Sequence, residues 1–315
     1  MQALQTLAPI VLVIALGALL AARGHYSAGF FRDANRLTYW FGLPALLFLS
    51  IARAPLRESW GNRLFLVVLL GTAGMALAAW LLAAALRLRP PERAAVVAAS
   101  FRANLAYVGL PVIVYALAAA GVADRARWAG AAALCLGPMV LVYNLATVLL
   151  FSHGAAGPRV PAGTLIRRVV LNPLILSSAA GLLVAAVGRP LPGVLDRTLQ
   201  IPADMALPLA LLALGAAIEP RRIRHMLGAA VWSAAIKTLL GPLLGFALAS
   251  ALGLGPEERL IALVFLACPT AVATYVMAAQ LGADERLTGG ALVLSTLVSA
   301  LPLTLVLLLT PLGGH

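Results

Sequence analysis

The sequence predicts an all-α polytopic membrane protein with ten transmembrane helices, arranged as two inverted five-helix repeats with broken helices 4 and 9. Three observations carry this prediction: an apolar composition, ten apolar segments of membrane-spanning length, and prolines that recur at one spacing. Of the 315 residues, 62% are hydrophobic and only 11% are charged, far fewer than in a soluble domain. The net charge of +12 sits in short loops, so we interpret the arginines as span anchors and expect no nucleic-acid partner.

The ten apolar segments are each about as long as the roughly 17–25 residues that cross a bilayer. The loops after the odd-numbered spans hold more Arg and Lys than the others, which predicts that both termini lie outside. The alanine- and arginine-rich composition favours a bacterial inner membrane. The predicted spans are residues 6–22, 37–52, 63–86, 94–120, 129–151, 168–188, 203–218, 227–252, 259–281 and 288–310.

Proline positions indicate the internal repeat. Pro9 and Pro173, Pro44 and Pro208, and Pro138 and Pro302 are 164 positions apart, while Pro55 and Pro220, and Pro91 and Pro256, are 165 apart. Each half holds five spans, an odd number, so the second copy must cross the membrane upside down relative to the first. We therefore divide the chain into a first repeat (1–152), a short connecting loop (153–167) and a second repeat (168–315), within one membrane domain.

Span 4 contains residues that a lipid-facing helix should lack. Arg102 places a charge inside the apolar segment, and this is costly unless it faces protein or water. Pro111 lacks an amide hydrogen, and Gly109 lowers the cost of leaving the helix. Freed backbone cannot face hydrocarbon, so this segment must line a cavity or be buried in protein. We predict a broken helix here, with Asn104 able to donate to and accept from a carboxylate or the unwound backbone.

Span 9 is the counterpart of span 4 and shows a similar pattern. Pro269 stands near its middle, with hydroxyl groups at Thr270, Thr274 and Tyr275. Two discontinuous helices at equivalent places predict a substrate site, because half-helix N-termini near Pro111 and after Pro269 would direct partial positive charge at an anion. The alternative is that both prolines only kink packed helices.

Four further polar residues near the spans leave alternatives open. Asn144 either contacts substrate or makes a helix–helix hydrogen bond. Arg102 either binds substrate or ties the broken helix to carbonyl groups. Lys237, inside span 8, and Asp204, the only acid near a span, are the candidates for a titrating group in proton coupling.

Several segments carry a resemblance to the auxin efflux carrier family and its bacterial members. Arg102-Ala-Asn104 followed by Gly109-Leu-Pro111 resembles that family's span 4. Similar segments follow in order in the second half, so the resemblance spans both halves: Leu171–Ile175, Ala206–Gly215, Lys237–Pro242, Cys268–Val272 and Gln280–Asp284. The resemblance implies ten spans in two inverted repeats, as in bile-acid symporters, with spans 4 and 9 crossing at a central site and a small organic anion as substrate. Span 4 lacks the proline beside the asparagine in plant carriers, so auxin specificity is not carried over.

The sequence thus predicts a secondary transporter of small organic anions, aromatic acids or dicarboxylates, working by alternating access. Enzyme motifs and metal-ligand spacings are missing, so we expect no catalytic residues, cofactor or metal. Rival hypotheses are a sodium-coupled symporter of the bile-acid type, a non-transporting membrane sensor on the same fold, and an intramembrane enzyme. The partners are the substrate and the lipid bilayer; proton or sodium coupling and a homodimer are left open.

Overall fold

The structure is a computed structural model that describes residues 2–24, 26–53, 63–122, 125–154, 167, 170–188, 191–217 and 223–310. Within these ranges the regular structure is helical, and one isolated β-bridge joins two helix breaks. The helices are α1 (Gln2–Ala22), α2 (Ala28–Leu37), α3 (Leu43–Ala52), α4 (Arg63–Ala85), α5 (Pro90–Phe101), α6 (Leu110–Ala119), α7 (Arg125–Gly154), α8 (Pro173–Val187), α9 (Gly193–Ala217), α10 (Ile223–Ala235), α11 (Gly241–Ala251), α12 (Pro256–Ala267), α13 (Val272–Leu281) and α14 (Glu285–Leu309).

Five helical stretches are long and apolar enough to cross a membrane, which confirms a polytopic membrane protein in outline. The other five predicted spans also overlap helices, but those helices are shorter, interrupted or partly outside the described residues. The predicted connecting loop, 153–167, lies almost wholly outside the residues that the structure describes. The five long stretches are Arg63–Ala85, Arg127–Ser152, Gly193–Ala216, Gly228–Ala251 and Glu285–Leu309.

Two helix starts differ from the predicted spans. Helix α8 begins at Pro173, because the side chain of Asn172 accepts a hydrogen bond from the amide of Leu174 at 2.9 Å and caps the helix. Helix α9 begins at Gly193, ten residues before the predicted start at 203, because its polar first turns continue the helix beyond the apolar segment. Hydropathy alone cannot detect such polar turns.

Helix α2 was not predicted, since it is too polar to span a membrane. Ser27 caps it by accepting a hydrogen bond from the amide of Phe30 at 3.2 Å. One face of α2 buries Phe31, Ala34 and Asn35 against the protein. The helix therefore lies between the first two predicted spans as an amphipathic segment.

Three π-helical turns precede prolines in the same register. They cover Thr38–Gly42, Leu105–Gly109 and Ile236–Leu240, and in each case the second residue after the turn is a proline. A proline cannot donate an amide hydrogen, and its ring clashes with the carbonyl four residues earlier in a regular α-helix. The wider π turn removes this clash, so the prolines modify these helices without breaking them.

The helices pack in two groups, and the second group contains both α5 and α12. Helices α1, α3, α8 and α9 form one group; α4, α5, α10, α11, α12 and α14 form the other. Glycines allow close approach in the first group: a methyl group at Gly17 would overlap the backbone of Leu212, and one at Gly181 would overlap the carbonyl oxygen of Phe48. Small residues permit this backbone contact between membrane helices.

Candidate functional site

Two helices are interrupted at the centre of the molecule. Helix α5 ends at Phe101, and helical backbone resumes at Leu105 as a π turn that leads into α6. Helix α12 ends at Ala267, and α13 begins at Val272. The interruption of span 9 lies at Pro269, as the sequence predicts.

The break in span 4 lies earlier than the proline suggested. Residues 102–104 leave the helix, whereas Gly109 has helical dihedral angles and Pro111 lies in the first turn of α6. The expectation that a half-helix starts near Pro111 is therefore wrong. The π turn accommodates that proline, and the helix N-terminus at the crossing is at Leu105, directly after Asn104.

The two breaks pair with each other through the backbone. Ala103 and Thr270 form an antiparallel bridge. The amide of Asn104 donates to the carbonyl oxygen of Pro269 at 2.9 Å, and the amide of Ala271 donates to the carbonyl oxygen of Arg102 at 2.9 Å. Backbone groups freed from two helices thus satisfy one another away from water.

Thr270 holds this crossing together. Its hydroxyl group donates to the carbonyl oxygen of Ala99 at 2.7 Å, near the end of α5, and its amide donates to the hydroxyl oxygen of Ser295 on α14 at 3.0 Å. The residue is fully buried. Both of its donors are therefore occupied within the protein.

A cavity of about 70 Å³ adjoins the crossing. One wall consists of the breaks and the helix starts that follow them, from Asn104 to Tyr107 and from Ala271 to Ala273. The opposite wall comes from α3 and α9. Its apolar residues are Leu43, Leu46, Leu47, Ala206, Leu207 and Ala210.

The crossing wall supplies hydrogen-bond donors. The first amides of a helix have no acceptor within that helix, and the helix dipole places partial positive charge there. Two such starts, at Leu105 and Val272, line the cavity. The side-chain nitrogen Nδ2 of Asn104 is buried and has no partner among the described residues. Unused donors at two helix N-termini are the features that bind an anion.

Arg102 is buried and is held by α7. Its Nη2 donates to Oδ1 of Asn144 at 2.6 Å, and its Nη1 donates to the hydroxyl oxygen of Thr147 at 3.1 Å. Asn144 in turn donates to the hydroxyl oxygen of Ser178 at 3.4 Å. Arg102 lines the cavity, whereas Asn144 does not. The guanidinium Nε lacks a partner within the described part of the chain, and no described carboxylate lies within ion-pair distance of it.

Lys237 and Asp204, the two candidates for coupling, occupy opposite environments. Lys237 is fully buried, and its ammonium group donates to the carbonyl oxygen of Leu266 at 3.0 Å. That carbonyl lies in the last turn of α12, where helix carbonyls lack intrahelical partners and attract cations. Asp204 lies on an exposed face of α9 and accepts a hydrogen bond from Gln200 at 2.6 Å. Neither residue lines the cavity at the crossing.

The other predicted site residues surround the crossing without lining this cavity. Gly109 lies against the ring of Phe265, where a methyl group would overlap that ring. Thr274 is fully buried, with a hydroxyl group that lacks a partner among the described residues, and Tyr275 lines a different cavity. Within the described ranges, no group of three His, Cys, Asp or Glu residues is placed to hold a metal ion.

The apolar wall from α3 and α9 was missed by sequence reasoning about the site. Its signal was present, since the segments around Pro44 and Pro208 repeat each other at the 164-residue offset. In the sequence that similarity indicates the repeat alone. Apolar residues carry no chemical signature of binding, so only their position across the cavity identifies them.

Comparison with known proteins identifies the family of this chain. A family profile described as "Membrane transport protein" matches residues 2–154 and 158–307, which include both interrupted helices. The chain belongs to the auxin efflux carrier family of membrane transport proteins. Members of this family include bacterial, archaeal and plant proteins.

Three relatives show the range of this carrier family. The chain is 27% identical over 277 residues to a putative malonate transporter of Rhizobium meliloti, covering 86% of this chain and 84% of that protein. It is 23% identical over 306 residues to an uncharacterized transporter of Methanothermobacter thermautotrophicus, covering 97% of each. It is 30% identical over 146 residues to the probable auxin efflux carrier component 1b of Oryza sativa subsp. japonica. That alignment covers 44% of this chain and only 26% of the rice protein.

Proposed function

We propose that this membrane transport protein is a secondary active transporter that moves small organic anions by alternating access. The observation that carries the proposal is the buried Nδ2 of Asn104, which has no partner among the described residues. Asn104 lines the same cavity as the helix starts at Leu105 and Val272. Donors held in place beforehand bind a carboxylate with little reorganisation. The buried guanidinium of Arg102 adds positive potential beside them.

A compact carboxylate suits the site best. The cavity of about 70 Å³ lies below the roughly 300–1,000 Å³ typical of small-molecule sites, so a small acid fits it with less rearrangement than an aromatic acid. The name of the Rhizobium meliloti relative includes malonate, and the names of the rice relatives include auxin. We take malonate as the leading test substrate and aromatic acids as the second class.

Two packing contacts support the proposed inverted repeats, 1–152 and 168–315. Gly17 meets Leu212, and Gly181 meets Phe48. Adding 164 to 17 and 48 gives 181 and 212, so each contact is the repeat equivalent of the other. A two-fold relation between the halves places α1 on α9 in the same way as α8 on α3.

The positions of the cavity walls support alternating access. The breaks that carry the donors pack with one group of helices, whereas the apolar wall belongs to α3 and α9 of the other group. A rigid-body movement of one group against the other would expose the donors first to one side of the membrane and then to the other. We place the protein in the inner membrane of a bacterium with both termini outside, and a homodimer is compatible with this mechanism.

For coupling, we propose proton coupling or uniport, with Lys237 as the better of the two candidates because it is buried beside the crossing. Replacing Lys237 by Gln should change the pH dependence of transport. Replacing the exposed Asp204 by Asn should leave it unchanged. An unaltered pH dependence in both variants would rule out proton coupling through these groups.

The decisive experiment records currents from reconstituted protein on a solid-supported membrane after jumps in malonate or indole-3-acetate concentration, with and without sodium. A current that is lost in Asn104→Ala and indifferent to sodium supports the proposal. A current that requires sodium favours the symporter of the bile-acid type. If no acid evokes a current or uptake of label, yet malonate still raises the melting temperature, the membrane-sensor hypothesis replaces transport.

A further inference from the structure

A second and larger cavity lies beside the crossing, between α1, α2, α9, α13 and α14. Its volume is about 420 Å³, within the range of about 300–1,000 Å³ that holds small molecules. Its lining is about equally polar and apolar, and it includes Tyr26, Arg32, Asn35, Tyr275, Gln280 and Arg286. Of these residues, only Tyr275 was predicted from the sequence to bind substrate, and none of them lines the cavity at the crossing.

The two cavities follow one another along the same pair of helices. Helix α9 lines the small cavity at Ala210 and the large one at Ala213, and α13 lines them at Ala273 and Tyr275. These positions differ by less than one helical turn, so the cavities are neighbours. The large cavity therefore lies on the side of the crossing toward which α13 ends.

Two of the residues that line the large cavity, Leu214 and Tyr275, are buried. Both lie against Gly289 of α14, where an added methyl group would meet each of them. Ala210 and Ala273 line the small cavity within about one helical turn of these two residues, so a ligand in the large cavity would lie near the crossing.

The charged residues of the large cavity favour an anion. Arg32 of α2 and Arg286 of α14 are exposed within it, and neither forms an ion pair within the described ranges. Glu285 is the described acid in the lining, so the two arginines leave an excess of positive charge. Clefts lined by one sign of charge raise the local concentration of oppositely charged ligands.

Asn35 provides a polar group at the buried side of this cavity. It is only 5% exposed, and its Oδ1 is buried without a hydrogen-bond partner in the described part of the chain. Buried polar atoms are paired in most proteins, so an unpaired acceptor in a cavity indicates a ligand or water that donates to it. A half-protonated dicarboxylate or a hydroxy acid carries both an anionic group and such a donor.

We propose that the large cavity is an anion-capturing vestibule, in which Arg32 and Arg286 bind the carboxylate of a small organic acid before it reaches the crossing site. This inference rests on the proposed transport function. It adds a second binding site for the same substrate, formed by residues other than those at the crossing. Glu285 opposes the arginines and limits how long the anion stays.

The first test compares charge-neutralising variants with a matched control. Arg32→Gln and Arg286→Gln should each raise the malonate concentration for half-maximal current about three- to tenfold, and raised ionic strength should diminish this difference. Glu285→Gln should lower that concentration. Arg36→Gln, which removes the same charge from an exposed position of α2 outside this cavity, should leave it unchanged. Equal values for wild type and both vestibule variants would overturn the proposal.

The second test does not depend on transport. Both native cysteines, Cys135 and Cys268, are buried, so they should react slowly with thiol reagents. Ala279→Cys introduces an additional thiol into the lining of the vestibule. The measured quantity is the ratio of two labelling rates: that of the anionic reagent 2-sulfonatoethyl methanethiosulfonate over that of the cationic trimethylammonioethyl reagent. This ratio should be higher in Ala279→Cys than in the same variant that also carries Arg32→Gln and Arg286→Gln. Malonate should slow the labelling.

The two tests separate the vestibule from the transport proposal. Equal reagent preference with and without the arginines would overturn the vestibule, even if Asn104→Ala abolishes transport. An arginine-dependent preference together with malonate protection, in a protein that moves no organic acid, would sustain the vestibule and reject the transport function.

Discussion

The amide of Asn104 donates to the carbonyl oxygen of Pro269 at 2.9 Å, joining the two interrupted helices through their backbones. With the reciprocal bond from Ala271 to Arg102, this fixes the two helix N-termini relative to each other. The donors of the candidate site therefore move as one unit. No described backbone hydrogen bond joins α3 or α9 to these breaks, so the apolar wall is not tied to the donors in this way.

Asn104 gives the most direct prediction. Asn104→Ala removes a donor that has no partner in the described part of the chain. Hydrogen bonds to charged groups contribute about 1.5–3 kcal/mol, so malonate should bind about ten- to a hundredfold more weakly. Asn104→Asp should be worse, because it adds a negative charge beside the substrate carboxylate. Malonate-dependent current and malonate-induced thermal stabilisation measure both effects. Unchanged half-saturation in Asn104→Ala would contradict the assigned site.

The contact between Arg102 and Asn144 predicts a loss of stability. Asn144→Ala deprives the buried guanidinium of its acceptor at 2.6 Å, which should cost about 1.5–3 kcal/mol and lower the apparent melting temperature in detergent by a few degrees. Asn144→Asp keeps an acceptor at this position and should be the more stable of the two variants. A melting temperature of Asn144→Ala equal to that of wild type would show that the contact contributes nothing.

The equivalent glycine contacts predict matched effects in the two halves. Gly17→Ala and Gly181→Ala each place a methyl group against backbone of the neighbouring helix, and such overpacking typically costs about 1–3 kcal/mol. Both variants should lower the apparent melting temperature by similar amounts. Gly130→Ala in α7, where an added methyl group meets open space, is the control and should be neutral or stabilising. Effects of opposite sign at the two positions would count against the repeat.

Glu92 predicts one component of the pH dependence of stability. It lies ahead of the predicted span 94–120, and hydrogen bonds from the Arg89 side chain and amide lower the pKa of its carboxyl group. Such a group stabilises the fold above its unfolded-state pKa, and this contribution is lost as the pH falls through its folded-state pKa. The melting temperature of wild type should therefore fall more in this acidic window than that of Glu92→Gln. Parallel curves for the two proteins would refute the assignment.

Much of this arrangement could be predicted from the sequence because hydropathy and proline act locally. The apolar segments coincide with helices, and Pro269 breaks span 9 where it stands. Pro111 misled the prediction because a proline has two outcomes in a helix, a break or a widened turn. The choice between them depends on whether neighbouring segments can satisfy the freed backbone groups.

The side-chain partners could not be predicted, since they join distant parts of the chain. Arg102 meets Asn144 and Thr147, and Lys237 meets Leu266, through contacts that no local pattern encodes. Asp204 looked central because it was the only acid inside a predicted span, but it lies on an exposed face of α9.

By itself the sequence determined that the chain is an apolar helical membrane protein with two polar interruptions, because composition and proline chemistry do not depend on context. Only the tertiary structure decided which donors face a cavity. Nδ2 of Asn104 is buried without a partner among the described residues, and Asn104 lines the cavity. Both donors of Thr270, in contrast, are taken by Ala99 and Ser295. A hydrogen-bonding group is available to a ligand only when no group of the protein satisfies it, and that is settled by packing.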